Sequence, residues 1–107
     1  MRKIESQMVA AVKSNADWKN SNTSVTYVPE NDESKVYLHG NHIATIGDNF
    51  VQIFDGGWQS NTTKSRLNAI INEFCDSLKD GVYQRDFAWY VKDNNVEHEF
   101  ENGYIFA

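Results

Sequence analysis

The segment Asp55-Gly56-Gly57-Trp58-Gln59-Ser60-Asn61-Thr62-Thr63-Lys64-Ser65-Arg66 holds the densest set of chemically capable side chains in the sequence. Paired glycines lead through a polar loop into a helix start, where free backbone N–H groups and the macrodipole make the end partly positive. Lys64 and Arg66 stand in that first turn, an unfavourable place for cations unless an anion sits among them. A phosphate or a partner's carboxylate would serve. Trp58 beside them could stack on a base or anchor a protein interface. Trp58, Ser60, Thr62, Thr63, Lys64 and Arg66 are therefore the candidate partner- or anion-binding residues. The spaced glycines and terminal Gly-Lys-Ser/Thr of a P-loop are missing. An ordinary cap at Thr62 or Thr63, with both cations in solvent, explains the same residues.

Other constellations are thinner. His39 and His42 flank Gly40-Asn41 and would face one another across a hairpin, but zinc needs three or four ligands. Only His98, Cys75 and scattered carboxylates remain, so neither a metal nor a cofactor is expected. Cys75 falls on the apolar stripe of a helix and reads as a small core residue, not a nucleophile. No serine or aspartate lies in a nucleophile-elbow context, so no catalytic residue is assigned and the chain reads as non-enzymatic. Glu97, Glu99 and Glu101 alternate along one strand and form a candidate acidic partner surface, or a solvated edge guarded against strand pairing. Phe87, Trp89 and Tyr90, with Tyr83 nearby, put aromatics on both faces of one strand. At least one ring must then be core, while Tyr90 or Tyr37 could be exposed.

Charge and composition restrict the partners. The chain has 107 residues and a net charge of −5, one domain at roughly 100–200 residues per domain. Asp93, Glu97, Glu99 and Glu101 follow the last basic residue, Lys92, and supply four of the five net negative charges. The remainder has ten basic and eleven acidic side chains and is nearly neutral. Acidity is thus local, suited to docking a basic partner and not to mimicking duplex DNA over a whole surface. A basic stripe, the usual footprint of nucleic-acid binding, is absent. One cysteine excludes an internal disulfide framework. No apolar run approaches the roughly 20 residues of a membrane span, and no signal peptide precedes the domain, so a soluble protein of a reducing compartment is expected.

The elements that must position these residues follow from periodicity. Ile4, Met8, Ala11 and Val12 predict an amphipathic helix over 2–19, with Glu5 off the stripe. Period-two runs predict strands at 24–28, 35–39, 42–46 and 50–54, and Gly40-Asn41 as the two turn residues places His39 opposite His42. Leu67, Ile70, Ile71, Phe74, Cys75 and Leu78 predict a second helix over 62–79. Strands at 82–84 and 87–91 follow, then an acidic terminal strand or arm over 93–107. The expected fold is a single α+β domain, an antiparallel β-meander packed against two amphipathic helices, in the order α-β-β-β-β-α-β-β.

Three stretches together carry a resemblance: Val36-Tyr37-Leu38-His39-Gly40-Asn41-His42-Ile43-Ala44, Gly57 to Ala69, and Val82-Tyr83-Gln84 with Trp89-Tyr90. The combination resembles small accessory proteins of tailed bacteriophages over residues 2–91, and the acidic end has no counterpart in it. The resemblance brings no activity and no functional residue with it. It implies a chain made in the cytoplasm of an infected bacterium, where such proteins often bind host proteins such as defence nucleases or transcription enzymes. The expected function is therefore binding and modulating a host protein, as in counter-defence or host takeover. Nucleic-acid or nucleotide binding at 56–66 is the alternative, and self-association through the apolar end Tyr104 to Ala107 is a third.

Overall fold

The computed structural model describes residues 1–107. Helix α1 (Lys3–Lys13) is followed by β1 (Trp18–Asn20), β2 (Thr23–Val28), β3 (Glu33–Leu38), β4 (Asn41–Ile46) and β5 (Val51–Ile53). Helix α2 (Asn61–Phe74) then precedes β6 (Gly81–Arg85), β7 (Ala88–Asp93), β8 (Val96–Glu99) and β9 (Tyr104–Phe106). The strands form two antiparallel sheets, one ordered β1-β2-β3-β4-β5-β9 and one ordered β6-β7-β8. The α+β class holds. The single meander becomes two sheets, and β1, β8 and β9 add to the predicted order.

The final strand does not hang free. β9 pairs with β5, Val51 opposite Phe106 and Ile53 opposite Tyr104, so the apolar end completes the chain's own large sheet. Phe106 is buried there, leaving Ile105 as the apolar residue on the outer side. Pairing with β5 thus uses one edge of the segment that could recruit a neighbouring copy, and β9 stands at the margin of the large sheet.

One core serves both sheets. Val25, Val36, Leu38, Ile43, Ile46, Val51 and Ile53 from the large sheet join Met8, Val9 and Val12 of α1 and Leu67, Ile70 and Ile71 of α2. Val82, Trp89 and Val91 of the small sheet complete the same cluster. Asn68 of α2 fastens the small sheet, donating to the carbonyl of Val82 and accepting from its N–H, each at 2.8 Å.

Both helices are shorter than their periodicity. α1 stops because Asn15 takes a left-handed conformation (φ 53°), while the Ala16 N–H reaches back to the Ala11 carbonyl at 3.0 Å. That is a Schellman-type end with asparagine in the place of glycine. Helix α2 begins at a Ser60 cap, whose Oγ accepts the Thr63 N–H at 3.0 Å, not at Thr62 or Thr63. It ends where Cys75 turns extended and the Asp76 carboxylate accepts the Leu78 N–H at 3.0 Å. Leu78 leaves the apolar stripe and is 84% exposed.

The β3–β4 hairpin turns one residue earlier than expected. His39 and Gly40 both have positive φ (52° and 78°), the primed turn geometry, so Tyr37 and not His39 lies opposite His42. Val36 then pairs with Ala44, which makes Ile43 an extra residue on β4. This bulge leaves both Ile43 and Ala44 buried and shifts the pairing of the remaining strand by one residue, with Lys35 opposite Thr45 and Ser34 opposite Ile46.

Candidate functional site

The backbone of the loop ahead of α2 is tied down by hydrogen bonds. The Asp55 carboxylate accepts the Gly57 N–H at 2.7 Å, and the Asp55 N–H donates to Asn102 Oδ1 at 2.8 Å. The Ser60 N–H bonds to the Trp58 carbonyl at 3.0 Å. Gly56 is required at its position: its φ is +70°, and a Cβ there would meet Ile43 Cγ2 at 3.1 Å. These contacts present Trp58 to solvent with 76% of its surface exposed. A shallow groove of about 340 Å³ runs beside it, walled by His39, Asn41, Ser60, Thr62 and Thr63 among others.

The predicted cationic pair is split. Lys64 is half-exposed, but Arg66 points into the molecule and is 4% exposed. Its Nη1 meets Glu5 Oε2 at 2.9 Å, and its Nε donates to Thr23 Oγ1 at 3.0 Å. Ser65 Oγ donates to the same Glu5 oxygen at 2.6 Å. Every buried side-chain nitrogen and oxygen has a hydrogen-bond partner. Arg66 is therefore an internal cross-link from α2 to α1 and β2, unavailable to a surface anion. Thr63 is likewise buried, with its Oγ1 against Ser60 Oγ at 2.9 Å. Of the six candidates, Trp58, Ser60, Thr62 and Lys64 remain around the groove mouth and the first helical turn.

The acidic candidates also separate. Glu97 and Glu99 lie opposite Lys92 and Tyr90 on the outward face of β8, and Glu101 lies beyond the strand end. Glu97 is engaged by Arg85 at 2.8 and 3.0 Å and by the Tyr83 hydroxyl. Hydrogen bonds from Arg85 and then Tyr83 hold its carboxyl below the usual carboxylate range. Arg85 in turn lies 4.6 Å over the Tyr90 ring, which stacks with Tyr83 at 5.8 Å. Glu99 and Glu101 take no part in an ion pair.

The histidines do not converge. His39 sits in the turn, while His42 packs between Tyr37 (5.6 Å) and Phe54 (4.6 Å) and bonds Thr45 Oγ1 at 2.8 Å. Burial pushes its pKa below that of an ordinary histidine. No group of three or more His, Cys, Asp or Glu side chains is arranged to hold a metal ion. No helix is long and apolar enough to cross a membrane.

Cys75 is half-buried beside Asp80 and Asp93, and burial followed by those carboxylates pushes its thiol up to about 11. So little thiolate makes it a poor nucleophile. Alkylation by iodoacetamide at pH 8 is expected to run about tenfold slower in the folded chain than in urea, since the lower thiolate fraction outweighs the gain in intrinsic nucleophilicity. Equal rates would show that the fold does not suppress the thiol.

Phe87 is the exposed residue that periodicity misplaced. Alternation put it on one face with Trp89, but it occupies the β6–β7 turn with φ 67° and is 96% exposed. Trp89 is buried against Phe100 at 5.3 Å. The only cue was Asp86, a residue that tolerates a turn, without the glycine that normally follows it.

The whole chain, residues 1–107, matches the profile of a family described as Kyanoviridae Gp96 protein. The match takes in the acidic end that the earlier resemblance left out. No curated protein and no solved structure matches.

Proposed function

Because the chain belongs to the Kyanoviridae Gp96 protein family, a family of phage proteins, we propose that it works without catalysis, by docking onto a host protein in the infected cytoplasm and modulating or inhibiting it. The observation that carries this reading is Trp58, 76% exposed on a loop whose backbone is fixed by Asp55 and Asn102. A large aromatic ring held outward on a preorganised loop suits a binding hot spot, because little conformational entropy is lost when it is buried. Ser60, Thr62 and Lys64 supply polar groups at the rim, and Glu99 and Glu101 add unpaired negative charge to a second face. Nucleic-acid binding at the helix start loses its stronger cation to Glu5 and retains Lys64 alone.

The test is affinity purification of the tagged full-length protein from host cells, with and without nuclease, followed by mass spectrometry. One stoichiometric host protein surviving nuclease is expected. Trp58→Ala should weaken its retention at least tenfold, equivalent to about 1.4 kcal/mol or more, with the folded state unchanged because the ring lies in solvent. Recovery of nucleic acid alone, lost on nuclease treatment, would overturn this reading in favour of the anion site.

A further inference from the structure

Three two-residue hairpin turns in this chain have both residues at positive φ: His39-Gly40 (52° and 78°), Asp86-Phe87 (52° and 67°) and Asn94-Asn95 (52° and 67°). The second position is the one that glycine or asparagine fills at least steric cost, and two of the three turns obey. The third places phenylalanine there. A bulky side chain at positive φ is strained, and at 96% exposure the ring recovers nothing by packing. Folding gains nothing from this residue at this site, so a role outside the folded monomer explains it better.

The surroundings specify what would receive it. Arg85, the cation next to the turn, is bound by Glu97, while Asp86, which precedes Phe87 in the turn, and Glu99 take part in no ion pair. Glu99 and Phe87 border one shallow groove of about 410 Å³, whose wall also includes Gln59, the neighbour of Trp58. The tip is thus an aromatic knob with two unpaired carboxylates, one beside it in the turn and one in its groove, and that groove reaches the loop that carries Trp58. We propose that Phe87 inserts into an apolar pocket rimmed by Lys or Arg on the host protein, as a second anchor beside Trp58. This rests on the reading that the chain acts by binding a host protein.

The experiment places the photo-crosslinking residue p-benzoylphenylalanine at position 87, and separately at Leu78, also an exposed apolar residue, in the tagged full-length chain expressed in host cells. Position 87 should crosslink to the host protein retained by the wild type, and position 78 should not. Phe87→Asn should weaken retention at least tenfold while the melting temperature stays equal or rises, since asparagine fits this backbone. Asp86→Asn with Glu99→Gln should weaken it several-fold and flatten its dependence on salt. Undiminished retention of Phe87→Asn, or no adduct at 87 from a chain that still retains its partner, overturns the proposal and leaves the functional reading standing. An adduct between two copies of the chain overturns it in favour of self-association. Wild-type salt dependence in the charge variant overturns the basic rim. A wild type that retains nothing overturns the functional reading itself.

Discussion

Arg66→Ala is expected to destabilise the folded chain by about 3–5 kcal/mol, because it strands the Glu5 carboxylate in the interior. Glu5 is 3% exposed, and Ser65 is the donor that would remain to it. Arg66 also satisfies Thr23, and through it the α1–α2 contact is tied to β2. For a domain of this size the loss corresponds to a drop in melting temperature of about 15–30 °C. Thermal unfolding followed by circular dichroism would measure it. Lys64→Ala, two residues away and half-exposed, should stay within about 0.5 kcal/mol of the wild type. Replacing both partners, Arg66→Met with Glu5→Leu, should recover most of the loss, since an apolar pair of similar volume avoids the desolvation penalty. A single Arg66→Ala variant as stable as Lys64→Ala would show that the pair is not buried in solution, and would return Arg66 to the list of surface anion ligands.

The ion pair also shows where the sequence was readable and where it was not. Glu5, Met8, Val9 and Val12 stand at steps of three, four and seven, so the acid lies within the buried stripe of α1. Read by polarity it belonged outside, because a lone carboxylate is costly to bury. Its partner is far away in sequence, on α2, and periodicity within one helix carries no information on that pairing. The same separation hid the second sheet. Alternation located β6 and β7, but only the Asn68 clamp and the β5–β9 pairing decide that β6–β8 stand apart while β9 returns to the large sheet. Local chemistry was legible wherever local terms prevail. The strands of the meander and the apolar stripe of α2 follow from periodicity, and the class follows from them.

Turns set the limit for the candidate site. A glycine-rich loop before a helix marks Trp58 as a candidate, and the loop does present it. The place of Arg66 in the sequence suggests the same site, yet its helical position buries it with Leu67 and Ile70. Phe87 carried a strand-like pattern because turn geometry at φ 67° has no phenylalanine signature. The hairpin at His39-Gly40 shifted by one residue for a related reason. A primed turn accepts His-Gly as well as Gly-Asn; moving it by one residue shifts the pairing by two and keeps the faces, and the bulge at Ile43 then sets Val36 opposite Ala44.

Asn68→Ala should cost about 2–4 kcal/mol and do so unevenly across the molecule. The substitution leaves both the N–H and the carbonyl of Val82 without partners at a residue that is 4% exposed. Alanine is a better helix former than asparagine, so α2 itself is not weakened and the loss belongs to its junction with β6. The small sheet holds the core through Val82, Trp89 and Val91, and its outer strand β8 is exposed throughout. With the clamp removed, amide exchange should accelerate in β6, β7 and β8 well before β2, β3 and β4, whose pairing does not involve Asn68. Asn68→Asp, whose carboxylate still accepts the Val82 N–H but cannot donate to its carbonyl, should fall between the wild type and alanine. Because β6 and β7 carry Phe87 at their turn, Asn68→Ala should also weaken partner retention without touching the ring, whereas Asn68→Asp should do so less. Exchange that accelerates equally in both sheets would mean that they open as one cooperative unit. The orientation of the Phe87 tip would then be set by the whole core and not by this clamp.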